Sequence, residues 1–172
     1  MIRAVLFDRD GTLIADSPHD RMGVTPMPKA PQALQRLREA GVLVGVVTNQ
    51  PAIARGELTY TEMLAVNDKI ESALGKIDGW FVCPHAPDTG CNCRKPEPGL
   101  IQAACREFGV RAEECAVVGD IGCDVDAALN AGAQAILVPT PVTRTEEING
   151  APVVCADLNE AVDRILGAVA VS

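Results

Sequence analysis

The chain has 172 residues, a net charge of −8 and an apolar fraction of 48%. This length fits a single domain over residues 1–172 with a sizeable core, and the apolar content excludes an intrinsically disordered chain. A strongly acidic chain without a cluster of Lys and Arg is not typical of nucleic-acid-binding proteins. The sequence shows neither an apolar run long enough for a membrane span nor a signal-peptide pattern, so we expect a soluble cytoplasmic protein.

Apolar segments typical of strands alternate with helical patterns along the chain. This alternation is typical of right-handed βαβ units and predicts an α/β fold, with a Rossmann-like parallel sheet, helices on both faces and no large cap domain. The predicted strands are residues 2–8, 42–48, 79–83, 115–119, 134–138 and, more weakly, 152–155. The predicted helices are residues 28–40, 59–74, 97–109, 122–131 and 157–168. Two polar loops, 15–27 and 83–96, interrupt this alternation.

The first predicted strand ends in Asp8 and Asp10, and a glycine follows at once. Residues i and i+2 of a strand point to the same side, so both carboxylates are expected to face one site. Two close carboxylates repel each other unless a cation lies between them or one holds a proton. The pair therefore predicts an active site that uses a metal ion, at the strand end where open α/β sheets bind ligands. The alternative is an ordinary Asp-Gly turn.

The second predicted strand runs into Thr48 and Asn49. A hydroxyl and a backbone turn at this end of a strand supply donors for phosphate oxygens. The alternative is a strand-to-helix turn in which the threonine caps the helix.

Three of the seven cysteines lie close to one of the two histidines. The cluster consists of Cys83, His85, Cys91 and Cys93, in a loop rich in Pro and Gly. Such ligands at short spacing are typical of tetrahedral zinc, and four protein ligands leave no open position for catalysis. We therefore predict a structural zinc ion that orders this loop. A set of core cysteines is the alternative, and the isolated remaining cysteines argue against a secreted disulfide framework.

Arg94 and Lys95 directly follow the last predicted zinc ligand, so the zinc loop would hold them in place. An ammonium group and a guanidinium fork both suit a phosphorylated substrate. A pair of solvated surface charges is the alternative interpretation.

The predicted strand 115–119 is followed by Asp120, and Asp124 comes four residues later. With Asp8 and Asp10 they place four carboxylates at one edge of the sheet. Hard oxygen ligands beside a phosphate are the usual surroundings of Mg²⁺.

These segments together resemble a known superfamily. Asp8-x-Asp10-Gly-Thr, Thr48-Asn49, Lys95 and Gly-Asp120 with Asp124 match, in order, the four motifs of the haloacid dehalogenase-like phosphohydrolases. Within it, Asp-Arg-Asp-Gly-Thr, Thr-Asn-Gln-x-x-Ile-Ala-Arg-Gly, the Cys-x-His and Cys-x-Cys pairs and Cys-Arg-Lys-Pro-x-Pro-Gly resemble the D-glycero-D-manno-heptose-1,7-bisphosphate 7-phosphatases. Histidinol-phosphate phosphatases are similar in the zinc loop and in Cys-Arg-Lys-Pro, so both substrates stay open.

The resemblance implies a phosphomonoesterase that depends on Mg²⁺ and removes the 7-phosphate of the heptose bisphosphate. Asp8 would be the nucleophile that forms an aspartyl-phosphate, and Asp10 would be the general acid and base. Mg²⁺ would be held by the Asp8 carboxylate, the Asp10 main-chain carbonyl and Asp120, with Asp124 orienting that shell.

The same resemblance assigns the substrate contacts. Phosphate oxygens would be held by Thr48, the Asn49 amide and Lys95, whereas Arg55 and Arg94 would bind the rest of the substrate. We expect a small phosphorylated metabolite, such as a sugar bisphosphate, as the partner, no nucleic acid or membrane, and a monomer. The motifs are also compatible with a phosphatase for a different small molecule, with a phosphoryl transferase and with a binding module that has lost its chemistry.

Overall fold

The structure, a computed structural model, describes residues 1–17 and 19–167. The strands are β1 (Ala4–Phe7), β2 (Leu43–Asn49), β3 (Gly79–Cys83), β4 (Cys115–Gly119) and β5 (Gln134–Leu137). The helices are α1 (Ala30–Glu39), α2 (Pro51–Ala54), α3 (Tyr60–Leu74), α4 (Gly99–Phe108), α5 (Gly122–Ala131), α6 (Thr145–Gly150) and α7 (Leu158–Gly167). A 3₁₀ turn covers Ala112–Glu114.

The strands form one parallel sheet in the order β3-β2-β1-β4-β5. The central strand, β1, pairs with β2 on one side and with β4 on the other, so that Phe7 lies opposite both Val46 and Val118. The chain adds β2 and β3 on one side of β1 and then returns to add β4 and β5 on the other. Ligands of such sheets bind at the carboxyl ends of the strands, beside the point where the strand order reverses. The predicted α/β class with a parallel sheet is confirmed.

Alternating residues of the central strand separate the core into two layers. Val5 and Phe7 belong to the layer covered by α1, α3 and α7, whereas Ala4 and Leu6 belong to the layer covered by α4 and α5. All four residues are fully buried. A strand that is apolar on both faces is typical of a parallel sheet between two helical layers.

Helix α3 begins at a capping box. The Thr59 hydroxyl accepts from the Glu62 N–H at 3.1 Å, and the Glu62 carboxylate accepts from the Thr59 N–H at 2.8 Å. These two bonds satisfy main-chain donors that a helix start leaves unpaired. They fix the first turn of the helix that runs beside the end of β1.

Some boundaries differ from the sequence predictions. The predicted strand 152–155 is wrong as a strand, because only Val154 forms an isolated parallel bridge, with Leu137. Pro152 has no N–H to donate, and the chain enters α7 soon afterwards. The short helices α2 and α6 were not predicted, since neither is long enough to show a helical repeat of apolar residues. The last residue of the predicted helix 157–168 lies outside the described residues.

The described ranges, residues 1–17 and 19–167, contain no helix with the length and apolar character of a membrane span.

Candidate active site

Three buried carboxylates meet at the carboxyl edge of the sheet. Asp8 extends β1, and its N–H donates to the Val118 carbonyl at 2.9 Å. Asp120 follows β4, and Asp124 lies in the first turn of α5. One oxygen of each of the three lies within 4.8 Å of the others, close enough to hold one metal ion. The sheet and the helix that follows it therefore bring together residues separated by more than a hundred positions.

One buried cation faces this group. Lys95 Nζ donates to Asp8 Oδ1 at 2.7 Å, to Asp124 Oδ1 at 2.6 Å and to the Val47 carbonyl at 2.9 Å. The lysine side chain is 2% exposed, so these contacts replace the water that its ammonium group has lost. Its position is thus fixed by all three of its N–H donors.

The pKa values of the site reflect burial and mutual repulsion. Burial raises the pKa of Asp8 well above its ordinary value, and burial together with the nearby Asp124 raises the pKa of Asp120 to about 6. Burial opposes the charge of Lys95, but Asp8 and Asp124 outweigh it and raise the pKa of this lysine. Three carboxylates facing one ammonium group leave an excess of negative charge. A hard divalent cation would balance that charge.

Two glycines allow these carboxylates to pack against the main chain. Gly11 has a φ of +87°, and a Cβ there would collide with the Asp120 carboxylate. A Cβ at Gly119 would collide with the side chain of Asp124. At position 11, only glycine both adopts the left-handed backbone conformation easily and leaves room for the Asp120 carboxylate.

Asp120 is also held from two sides by hydroxyl groups. Thr12 Oγ1 donates to its Oδ1 at 3.2 Å, and Thr143 Oγ1 donates to its main-chain carbonyl at 2.6 Å. Thr143 comes from the segment after β5 and was missed by the sequence analysis. It stands in the segment 138–144, which contains two prolines and two valines and carries no neighbouring signal of function.

Asp10 lies apart from the group of three carboxylates. Its Oδ2 accepts from Gln50 Nε2 at 2.7 Å, and both of its carboxylate oxygens lie 3.2 Å from Arg9 Nε. The strand ends at Phe7, and the chain then turns through a Leu13 N–H to Arg9 carbonyl bond of 3.0 Å. The two-residue alternation of a strand therefore does not extend to Asp10. Asp10 therefore lies at the same edge of the sheet, in the wall of the cleft, but outside the group that Asp8, Asp120 and Asp124 form.

Arg9 and Gln50 are further residues that the sequence analysis did not single out. Arg9 directly precedes Asp10 and Gln50 directly follows Asn49. This position next to a predicted site residue was the signal that could have found them. Gln50 Nε2 also donates to Thr48 Oγ1 at 2.9 Å, which places the threonine hydroxyl in the same network as Asp10. Thr48 and Gln50 are both buried.

Asn49 does not lie free beside the carboxylates. Its side-chain amide is engaged in reciprocal hydrogen bonds with the main chain of Lys95. The structure thus brings the predicted phosphate-binding residues together. The Asn49 side chain holds the main chain of Lys95 in position.

Cys83, His85, Cys91 and Cys93 form a compact group. Cys83 Sγ lies 3.7 Å from Cys91 Sγ and 3.1 Å from Cys93 Sγ, and His85 Nδ1 lies 3.5 Å and 3.2 Å from the sulfur atoms of Cys83 and Cys93. Sulfur ligands of a tetrahedral zinc site, with Zn–S bonds of about 2.3 Å, lie roughly 3.8 Å apart. The Cys83–Cys91 separation matches this value and the Cys83–Cys93 separation is shorter, while three sulfurs and one imidazole nitrogen are the donor set that such a metal ion binds.

The segment that carries Lys95 is held by contacts with α4 and α5. The Gly99 N–H donates to the Asn92 carbonyl at 2.9 Å, and a Cβ at Gly99 would collide with that carbonyl. The start of α4 therefore packs directly against the Cys/His loop. Asn130 Nδ2 donates to the Pro96 carbonyl at 3.0 Å, which ties the residue after Lys95 to α5.

The two predicted substrate arginines line different clefts. Arg55 lines a cleft of about 360 Å³ together with Asp10, Asn49 and the loop after β1. Arg94 lines a smaller cleft of about 190 Å³ beside Lys95, and its Nη1 donates to the His85 carbonyl at 3.5 Å.

A third arginine, Arg21, lines the larger cleft and was missed because a polar loop gave no signal for it. Arg55 Nε donates to Glu57 Oε1 at 2.9 Å, and Arg21 Nη2 lies 2.6 Å from Glu57 Oε2. Hydrogen bonding from Arg55 and then from Arg21 lowers the pKa of Glu57. This glutamate holds two guanidinium groups together at the cleft.

Comparison with known proteins agrees with this geometry. The chain matches the haloacid dehalogenase-like hydrolase family over residues 5–64 and the HAD-hydrolase-like family over residues 92–161. It is 36% identical to the D-glycero-beta-D-manno-heptose-1,7-bisphosphate 7-phosphatase of Bordetella bronchiseptica, over 96% of this chain and 98% of that protein. The chain belongs to the haloacid dehalogenase-like hydrolases. The resemblance found in the sequence is therefore confirmed.

Within this superfamily, the hydrolase falls in the subgroup of the heptose-bisphosphate phosphatases. The protein of the same name from Pseudomonas putida is 36% identical over 81% of this chain and 83% of its own length. The crystal structure of D,D-heptose 1,7-bisphosphate phosphatase from B. bronchiseptica, complexed with magnesium and phosphate, superposes with a TM-score of 0.86. It has 32% identity and covers 97% of this chain and 99% of that chain.

Proposed function

We propose that this hydrolase is a phosphatase that removes the 7-phosphate of D-glycero-D-manno-heptose 1,7-bisphosphate through an aspartyl-phosphate on Asp8. The observation that carries the proposal is the buried group of Asp8, Asp120 and Asp124 around Lys95 at the sheet edge. The relatives that carry this name over nearly the full chain support the choice of substrate.

Asp8 is placed for attack on phosphorus. It ends the central strand, and its Oδ1 is held by Lys95 at 2.7 Å, so its carboxylate has a defined orientation. In the first step an Asp8 oxygen forms a bond to phosphorus while the bond between phosphorus and the sugar oxygen breaks. Asp10 gives a proton to that departing oxygen. In the second step Asp10 takes a proton from the water that hydrolyses the aspartyl-phosphate.

Thr48 would contact the phosphoryl group, and Lys95, whose three N–H donors are engaged by Asp8, Asp124 and the Val47 carbonyl, would act on it through its charge. The lysine charge is buried and fixed, so it needs little reorganisation as negative charge develops on the phosphoryl oxygens. Asn49 would act in part through Lys95, whose main chain it holds.

Asp8, Asp120 and Asp124 fit Mg²⁺, since they offer hard oxygen ligands and excess negative charge. Asp10 would contribute its main-chain carbonyl. When bound, Mg²⁺ supplies charge neutralisation and alignment of the phosphoryl group for in-line attack. The crystal structure of the B. bronchiseptica phosphatase contains magnesium and phosphate, which supports this choice of metal.

The Cys/His group fits Zn²⁺ in a structural role. Its three sulfurs and one nitrogen complete a tetrahedral sphere and leave no position for a reacting water. The main-chain N–H groups of Arg94 and Cys93, acting against burial, lower the pKa of Cys91 to about 6, whereas burial and the neighbouring thiols raise the pKa of Cys93 to about 12. Zinc would order the loop that delivers Arg94 and Lys95.

Arg55 and Arg21 would bind the second phosphate of the bisphosphate. They lie at the cleft that also contains Asp10, and a guanidinium group binds phosphate with two parallel hydrogen bonds. Arg94, beside Lys95, would contact the sugar or the transferring phosphate from the opposite side.

The test is phosphate release with Mg²⁺ from both anomers of heptose 1,7-bisphosphate, from histidinol phosphate and from several sugar monophosphates, ranked by kcat/KM. We expect a heptose bisphosphate to lead by about a hundredfold, a difference of about 2.7 kcal/mol. Histidinol phosphate in first place would overturn the substrate and leave the catalytic roles in place. No turnover of any ester would overturn the phosphatase itself.

A further inference from the structure

Asn67 is a polar residue in an apolar surface. It lies on the buried face of α3 with Met63, Val66, Ile70 and Leu74, and it is 4% exposed. A buried amide costs free energy unless its donors and acceptors find partners. Packing alone would favour an apolar side chain at this position, so the amide needs another explanation.

The partners of Asn67 lead to Asp10. Its Oδ1 accepts from Arg9 Nη1 at 3.3 Å, and its Nδ2 donates to Met63 Sδ at 3.2 Å. The other nitrogens of the same guanidinium contact Asp10, with Nε 3.2 Å from both carboxylate oxygens and Nη2 3.1 Å from Oδ2. The Arg9 side chain is 6% exposed and the Asp10 side chain 31%. Arg9 therefore joins a buried helix residue to a carboxylate at the wall of the cleft.

We propose that Asn67 is a positioning residue that acts through Arg9 to orient the Asp10 carboxylate toward the leaving oxygen of the substrate. The proposal rests on the proposed function, since it takes Asp10 as the general acid.

The planar guanidinium group of Arg9 explains how Asn67, 58 positions away in sequence, affects the orientation of Asp10. Its five N–H donors have a fixed fork geometry, so fixing Nη1 on Asn67 also fixes the direction in which Nε and Nη2 face Asp10. Gln50 holds one Asp10 oxygen at 2.7 Å from the side of β2. Arg9 and Gln50 together restrict the Asp10 carboxylate to one orientation. Without the Asn67 acceptor, Nη1 would turn toward the nearest carboxylate oxygen and rotate Asp10.

A role in positioning the acid has a consequence that a role in packing lacks. When an alkyl phosphate reacts, the Asp10 O–H bond breaks and its proton goes to the sugar oxygen as that oxygen leaves phosphorus. A nitrophenolate is stable as an anion and leaves without that proton. Misplacing the acid therefore slows the cleavage of alkyl esters selectively, whereas a general loosening of the site slows both kinds of ester.

The experiment compares kcat/KM for the best alkyl phosphate with kcat/KM for p-nitrophenyl phosphate, in the Mg²⁺-loaded enzyme. kcat/KM reports the steps up to transfer of the phosphoryl group to Asp8, and it leaves out the later hydrolysis, which is shared by both substrates. In Asn67→Leu we expect about a tenfold loss for the alkyl ester, part of what a general acid contributes. The loss for p-nitrophenyl phosphate should stay below about twofold.

Two further variants on the same helix serve as controls. Met63→Leu keeps the volume, removes the sulfur that Asn67 contacts and leaves the bond to Arg9, so both substrates should react as in the unchanged enzyme. Asn67→Gln keeps an uncharged amide oxygen as an acceptor for Arg9 and should retain most of the alkyl-ester activity. If Asn67→Leu fails to fold, Arg9→Lys tests the same contact, because an ammonium group cannot donate to Asn67 and Asp10 as a fork.

An equal loss for both substrates in Asn67→Leu, or no loss for either, would overturn the positioning role. The outcome does not depend on which sugar is the natural substrate. An enzyme that hydrolyses alkyl phosphates but prefers another sugar would overturn the proposed substrate and still test Asn67. An enzyme that hydrolyses no phosphate ester would overturn both.

Discussion

Asn49 and Lys95 hold each other by two hydrogen bonds across 46 positions of sequence: Asn49 Nδ2 donates to the Lys95 carbonyl at 3.1 Å, and the Lys95 N–H donates to Asn49 Oδ1 at 3.0 Å. The pair joins the end of β2 to the segment that leaves the Cys/His loop. Since Lys95 Nζ reaches Asp8, this pair controls where the cation stands relative to the proposed nucleophile.

Asn49→Leu should lower kcat/KM by about tenfold, because both hydrogen bonds to Lys95 are lost in a partly buried place and the lysine main chain can shift. Steady-state kinetics with the best substrate would measure this loss. Asn130→Ala is the matched control, since it removes a single hydrogen bond to the Pro96 carbonyl at an exposed place. We expect less than about a twofold change there, and equal losses in the two variants would contradict the role given to Asn49.

Lys95→Met should destabilise the metal-free protein by about 3 kcal/mol, because it leaves Asp8 and Asp124 buried without their shared cation. Chemical denaturation would measure the loss. Mg²⁺ should restore part of the stability, since it binds the folded carboxylates and not the unfolded chain.

The matched control for this prediction is Lys76→Met, at a lysine whose side chain is 78% exposed and pairs with Asp78. The expected change there is below about 0.5 kcal/mol. A stability of Lys95→Met equal to that of the unchanged protein would contradict the electrostatic role of this lysine.

Cys91→Ser should lower the zinc content of the purified protein and its thermal stability together. The substitution removes one of four ligands from a loop that has few apolar residues to order it. Atomic absorption and thermal unfolding would measure the two effects. Cys123→Ser, at a half-buried cysteine outside the cluster, should keep the full metal content. Full metal content in Cys91→Ser would rule out zinc binding by this group.

The sequence predicted the parts of the molecule that follow from local pattern. Apolar runs between helical patterns predicted β1 to β5. The ends of β1 and β4 indicated Asp8 and Asp120 as site residues. The Cys/His spacing located all four members of the proposed metal group, which the structure brings within 4.8 Å. These features depend on residues that are near one another in sequence or at equivalent ends of strands.

What could not be predicted depends on side-chain direction and on distant partners. The turn after Phe7 directs Asp10 toward Arg9 and Gln50, although alternation along a strand would have placed it beside Asp8. Asn67 reaches Arg9 across 58 positions, and its own neighbours suggest an ordinary apolar helix face. No single-sequence pattern records which buried polar groups will pair, because that pairing is decided by tertiary packing.

Arg21→Ala should weaken the preference for a bisphosphate over the corresponding monophosphate by about tenfold, since one of two guanidinium groups near the second phosphate is lost. The effect should lie mainly in KM for the bisphosphate, because this phosphate does not react and is bound alike in the ground and transition states. Steady-state kinetics on the two substrates would measure it. Arg111→Ala, a surface arginine paired with Glu113 and Glu114, is the matched control and should change neither substrate. If Arg21→Ala lowered kcat equally for the bisphosphate and the monophosphate, the arginine would act on the reacting phosphate and the second-phosphate site would lie elsewhere.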